Sequence, residues 1–251
     1  TDVSQKIVMP ITAKTKSSLC DWLTIQNHPD VGLAETFVSH AWKYTFVAVI
    51  QALLYHFKDK PNIIVWFDLF SNNQHQATTL PYEWWATTFK SAIKDFRHMV
   101  MILSPWNNPI PYTRAWCIFE AYCCADTGSK FEIAMSEHDR KVFLDDMAVD
   151  PQKKIDNMLG TIRAESSQCF IPADRERIFN VITDTVGFHK INSMVFEQYR
   201  EWVIHVALEA LEYVQGEKEK LVLLNTIGEL YKGQGKYEDA ESYLKRCWVG
   251  R

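Results

Sequence analysis

The 251-residue chain has no long unbroken apolar run. A bilayer-spanning helix needs about 20 predominantly apolar residues, so none is expected. No basic stretch followed by an apolar core opens the chain, so nothing in it points to secretion. Positive charge is not in excess: 27 Lys and Arg stand against 31 Asp and Glu, a net charge of −4. That excludes the strong basic field with which proteins hold nucleic acid or an anionic membrane surface. The six cysteines form no pair of C-x-x-C motifs, and no H-x-x-x-H lies beside them, so no metal site is expected. Cys20, Cys117, Cys123, Cys124, Cys169 and Cys247 are expected as reduced thiols in cores, which implies a cytoplasmic compartment.

What the chain does have is apolar material, 47% of its residues, enough to bury a substantial core. Residues 1–32 form an irregular lead-in with one short helix around Ser18–Ile25, ended by Asn27-His28-Pro29-Asp30. Thr36–Ser39 is a short β-type run. Phe46, Val49, Ile50, Leu53, Leu54 and Phe57 follow at helical spacing. Ile63–Phe67 and Met99–Leu103 are continuous apolar runs, as in strands buried on both faces, with a helix over Tyr82–Phe96 between them. A further helix runs from Ala115, and Phe131–Met135 is a fourth strand candidate. Strand alternating with helix in this way predicts a parallel α/β sheet with helices on both faces. Ligands then collect beyond the carboxyl ends of the strands, at Ser39–Trp42, Asp68, Ser104–Trp106 and Ser136.

Beyond Glu137 the pattern is helical. Lys141–Met147, Lys153–Ile162, Asp174–Val186 and Ile191–Val214 are candidates, with a stop at Gly187. Ile162–Phe170 fits an edge strand as well as a helix. The expected organisation is therefore the lead-in (1–32), an α/β domain (33–137), a helical extension (138–216) and a helical hairpin (217–251).

One segment carries a chemical oddity. Ala115–Ala125 reads A-W-C-I-F-E-A-Y-C-C-A, and Glu120 is its only charge. A helix apolar all round is buried, and a lone carboxylate on it needs a cleft or a partner. Trp116 and Cys117 lie four and three residues before Glu120, on the same helix face. Ser39 and His40 are sequence neighbours, and strand alternation sends them to opposite faces, which argues against a Ser–His nucleophile pair.

These residues resemble the TIR family. Phe37-Val38-Ser39-His40 looks like its first-strand motif, Ser91-Ala92-Ile93 with Met99–Pro105 like its second helix and third strand, and Trp116-Cys117-Ile118-Phe119-Glu120 like its W-C-x-x-E helix. The resemblance covers Leu33–Glu137 and implies a flavodoxin-like sheet. The chain departs from the family where Ala41 and Trp42 follow the first-strand motif, and where Asp68–Asn73 lacks a glycine. Some TIR domains cleave NAD at the nicotinamide–ribose bond, and others only assemble signalling complexes. In the cleaving members the glutamate of W-C-x-x-E is catalytic, which by position is Glu120. Ser39, His40, Trp42, Asp68 and Trp116 are the substrate-binding candidates. NAD would be a substrate, and no cofactor is implied.

The chemistry is consistent with one carboxylate. The nicotinamide of NAD is already a pyridinium and leaves as a neutral base, so no general acid is needed, unlike in ordinary glycosidases. A single ionised Glu can stabilise the oxocarbenium-like ribose. The expected function is thus an NAD glycohydrolase gated by oligomerisation. The alternative is a non-catalytic adaptor acting through self-association.

Leu224, Ile227, Gly228, Tyr231, Ala240, Leu244 and Cys247, with a turn at Gly235-Lys236-Tyr237, resemble one tetratricopeptide (TPR) unit. The whole arrangement is similar to TIR-like modules ahead of kinesin-light-chain-type TPR arrays. A single unit cannot bury its own face, so the array is expected to continue and to bind protein partners. The start at Thr1, without Met, likewise leads us to expect a longer protein.

Overall fold

The computed structural model describes residues 2–76, 82–147 and 151–249. Its centre is a parallel sheet of β1 (Thr36–Ser39), β2 (Val65–Phe67), β3 (His98–Ile102) and β4 (Lys130–Ala134), in the order β2-β1-β3-β4. Every neighbouring pair is parallel, so each connection crosses over through a helix. Ahead of the sheet lie a π-helical turn (Ser4–Val8), α1 (Met9–Ile11) and α2 (Leu19–Ile25). The crossovers carry α3 (Phe46–His56), α4 (Asp68–Ser71), α5 (Tyr82–Phe96) and α6 (Ala115–Asp126). After β4 the chain is helical: α7 (Glu137–Met147), α8 (Pro151–Leu159), α9 (Pro172–Thr185), α10 (Gly187–Tyr213), α11 (Glu217–Gly233) and α12 (Tyr237–Val249). None of the described helices is long and apolar enough to cross a membrane.

Strand alternation divides the core in two. Phe37, Met99, Met101 and Ile133 point to the larger cluster, which includes α6 and α10. Val38, Val100, Ile102 and Ala134 point the other way, to a smaller cluster with Val49 and Ala52 of α3 and with Phe67. Both faces are covered, which is why Phe37-Val38 and Met99–Ile102 are apolar at consecutive positions rather than at every second one.

Three expectations are corrected. Ile63–Phe67 forms a strand only over Val65–Phe67, although the Ile64 carbonyl still accepts from Glu35 N–H. Ile162–Phe170 is not a strand: it holds a 3-10 turn at Ala164–Ser166 and a single bridge, Arg114 to Gln168. The lead-in has more helix than one short segment. Val8 is fully buried within it, and Ser18 and Asp21 form a reciprocal capping box that starts α2.

Gly187 has φ +75 at the junction of α9 and α10, a left-handed conformation that favours glycine. The α11–α12 hairpin packs closely. A Cβ at Gly228 would lie 2.6 Å from Leu244 Cγ, so a larger residue there would force the two helices apart. Residues 250 and 251 of the expected hairpin lie outside the described residues.

Candidate functional site at the carboxyl end of the sheet

Ser39 is the last residue of β1 and has the parity of Phe37, so its side chain points toward α6. There its hydroxyl donates to Glu120 Oε2 at 2.5 Å. Both residues are buried, Ser39 at 1% exposure and Glu120 at 8%. Burial pushes the Glu120 carboxyl up to about 8. The Ser39 hydrogen bond works against that rise, and the negative charge of Asp68 adds to it. Free Glu120 is therefore mostly a neutral acid at pH 7, and not the ionised group that the sequence led us to expect.

His40, one residue on, has the opposite parity. Its ring stacks on Phe67 at 4.7 Å, and its Nε2 meets Asp68 Oδ1 at 2.8 Å. Asp68 begins α4 immediately after β2. Its other oxygen accepts from Trp42 Nε1 at 2.5 Å. Burial alone would raise the Asp68 carboxyl. The His40 ring, the Trp42 N–H and the Leu69 backbone N–H outweigh it and hold the carboxyl below its ordinary value. One ionised carboxylate thus clamps two rings. Trp42 remains 43% exposed, so Asp68 fixes an indole at the surface beside the sheet end. His40 Nδ1 is buried with no hydrogen-bond partner, which leaves one unmet polar position in the cluster.

Cys117 donates from Sγ to the His40 carbonyl at 3.5 Å. Burial, then the neighbouring Glu120 charge, push its thiol well above the usual range, so it is inert packing. Trp116 is half-buried and meets Phe89 of α5 edge-on at 5.5 Å, as part of the larger core. The structure therefore brings together Ser39 with Glu120, and His40 with Asp68 and Trp42. Trp116 stands to the side, toward α5.

Two supports are not legible in the sequence. Tyr44 accepts from Ser104 N–H and donates to the Ser104 carbonyl, tying the loop after β1 to the end of β3. The lead-in braces the segment after α4. Thr12 Oγ1 donates to the Val8 carbonyl, so His75 Nε2 donates to Thr12 Oγ1 at 2.8 Å. Asn73 donates to the Lys16 carbonyl at 2.5 Å. Gln74 Nε2 then donates to the Asp68 carbonyl at 3.1 Å. No local pattern encodes the Tyr44–Ser104, Thr12–His75 and Asn73–Lys16 contacts, because each joins residues more than fifty positions apart.

Among the described residues no group of His, Cys, Asp and Glu is arranged to hold a metal ion. Protein-family models, curated proteins and solved structures were compared with the chain, and none matches.

Proposed function

We propose that this chain is a TIR-like NAD glycohydrolase with Glu120 as its catalytic residue. One observation carries the reading: a buried carboxylate, hydrogen-bonded by Ser39, sits at the carboxyl end of β1. The order β2-β1-β3-β4 reverses direction between β1 and β3, and doubly wound sheets bind ligands outside such a switch point. The flavodoxin-like reading of the sheet rests on the same order.

The chemistry follows from the charges. A nicotinamide pyridinium entering beside Glu120 supplies the cation that the site lacks. The carboxyl then ionises, and Ser39 holds the carboxylate in place. As the C–N bond breaks, its electron pair moves to the ring nitrogen and nicotinamide leaves neutral. Positive charge moves to the ribose, and Glu120 stabilises it. Water adds to the same carbon and gives up a proton to solvent. Trp42, fixed by Asp68, offers a face to a flat ring.

Incubation of the purified protein with NAD tests this directly. Nicotinamide should appear, and Glu120→Gln should slow its release by at least about a hundredfold, as when a transition-state charge partner is lost. No nicotinamide from assembled protein, or an unchanged rate in the variant, would sink the reading.

The second reading, a non-catalytic adaptor, draws on closure: Glu120 is only 8% exposed. Self-association without NAD turnover would favour it. In either case we assign α11–α12 to a TPR unit, on the close Gly228–Leu244 packing and the buried Ala240 and Cys247. The unit would belong to an array that binds protein partners and brings copies together. All six thiols are unpaired, which supports a cytoplasmic site of action.

A further inference from the structure

α6 starts without a cap of its own. The N–H groups of a helix's first turn have no partner inside the helix, and the Arg114 side chain at the N-cap supplies none. The partner comes from the helical extension. Gln168 accepts at its carbonyl from Ala115 N–H at 3.0 Å, and its own N–H donates to the Thr113 carbonyl at 2.9 Å. These two bonds make the parallel bridge between Arg114 and Gln168. Cys169 follows. Burial pushes its thiol up to about 11, and the Arg114 charge and the Trp116 backbone N–H restrain the rise, so the sulfur also lies against the first turn of α6.

The capping segment is held from α9. Arg175 Nε donates to the Ser167 carbonyl at 2.7 Å, and its Nη2 donates to the Glu165 carbonyl at 3.1 Å. The guanidinium lies over the Phe179 ring at 4.1 Å, which fixes the plane of this fork. Asn192 of α10 holds the other end. It accepts from Ala164 N–H at 3.0 Å and donates to Glu165 Oε2 at 3.1 Å.

The first turn of α6 matters to Glu120 because it covers it. Trp116 and Cys117 precede Glu120 by four and three residues, on the same face of the helix. Ala115 lies about 7.5 Å before Glu120 along the axis. Cys117 ties this turn to the end of β1 through the His40 carbonyl, beside the Ser39 hydroxyl that holds Glu120. A first turn that loosened would carry these groups away and let water reach the carboxyl.

We propose that Arg175 is a positioning residue for Glu120: by holding Ser167–Cys169 across the start of α6, it keeps the first turn of that helix closed over the carboxyl. Its meaning for catalysis rests on the reading of Glu120 above. The helical extension is then part of the site, since residues 33–137 do not contain the cap.

The test compares the full chain with two variants. Arg175→Met keeps a contact with Phe179 and loses both donors. Arg175→Lys keeps the charge and loses the planar fork. Amide exchange at Ala115 and Gln168 should speed at least about tenfold in Arg175→Met, while the amides of β3 keep their rates. Carboxyl NMR, with Glu120→Gln to assign the signal, should show the Glu120 midpoint falling from about 8 to about 7 or below. The sign separates two causes. Loss of the Arg175 charge alone would raise the midpoint, whereas water reaching the carboxyl lowers it. Arg175→Lys should therefore lower it as well, by less. A general loss of stability would leave the midpoint of the folded protein in place. Unchanged exchange at Ala115, or a midpoint that stays or rises in Arg175→Met, would overturn the proposal. No substrate enters these measurements, so a protein that releases no nicotinamide would sink the hydrolase reading alone.

Discussion

Glu120 makes its strongest prediction through folding, where no ligand is needed. Its carboxyl ionises near 4.5 in an unperturbed setting and near 8 in the folded chain. Between those values the folded state holds a proton that the unfolded state has released. Stability is therefore lost as pH rises through this window, the reverse of the usual acidic residue. At pH 7 the folded chain keeps the carboxyl about nine-tenths protonated, at a cost of roughly 3 kcal/mol relative to a group that does not titrate. The cost is near zero at pH 4 and approaches about 5 kcal/mol at pH 9. Glu120→Gln removes the titration and keeps an oxygen that can accept from Ser39. Its effect on packing is a constant offset, independent of pH. Urea unfolding of both proteins from pH 4 to pH 9 should show the variant gaining on the parent, by roughly 3 kcal/mol between pH 4 and pH 7. A stability difference that stays flat across this range would refute the burial argument, and with it the idea that Glu120 awaits a cation.

The same coupling predicts that binding of a cationic N-alkylnicotinamide releases protons at pH 7. Calorimetry in buffers of different ionisation enthalpy would detect the release, and equal heats in all buffers would contradict it. Asp68→Asn should free the Trp42 indole and cost about 2 kcal/mol, the scale of a charged hydrogen bond in partial burial. A red-shifted, more quenchable tryptophan signal would report the change, and an unchanged spectrum would count against the clamp. Thr12→Val leaves His75 Nε2 without its acceptor and should speed proteolysis in residues 71–76 while the sheet amides keep their protection; an unchanged cleavage rate would deny the lead-in its bracing role. Gly228→Leu should drive α11 off α12 and cost about 1–3 kcal/mol, measurable as a lower unfolding midpoint. No loss there would mean that the hairpin tolerates a wider separation.

Much of the fold was legible because its signals are local. Continuous apolar runs at Met99–Leu103 and near Val65–Phe67 mark strands covered on both faces, and the structure covers them. The apolar stretch around Glu120 marks a buried helix, and nine of the residues of α6 are buried. Ile162–Phe170 stayed open between strand and helix because Arg163, Glu165, Ser166, Ser167 and Gln168 break any apolar period, and the structure makes it a 3-10 turn with one bridge. The lead-in was underestimated for a different reason. Val8 is buried there and Thr12 bonds His75, 63 positions away, which local spacing does not reveal.

By itself, then, the sequence determined that the chain alternates strand with helix, that Glu120 lies on a buried helix, and that Ser39 and His40 diverge. Each follows from a period of two or 3.6 residues along the backbone. Tertiary structure alone decided that Ser39 reaches Glu120, that Asp68 holds His40 and Trp42 together, and that β4 ends the sheet. Those depend on which strands neighbour one another and on how deeply each group is removed from water. Burial is also what turns Glu120 from an ordinary carboxylate into a neutral acid near pH 7.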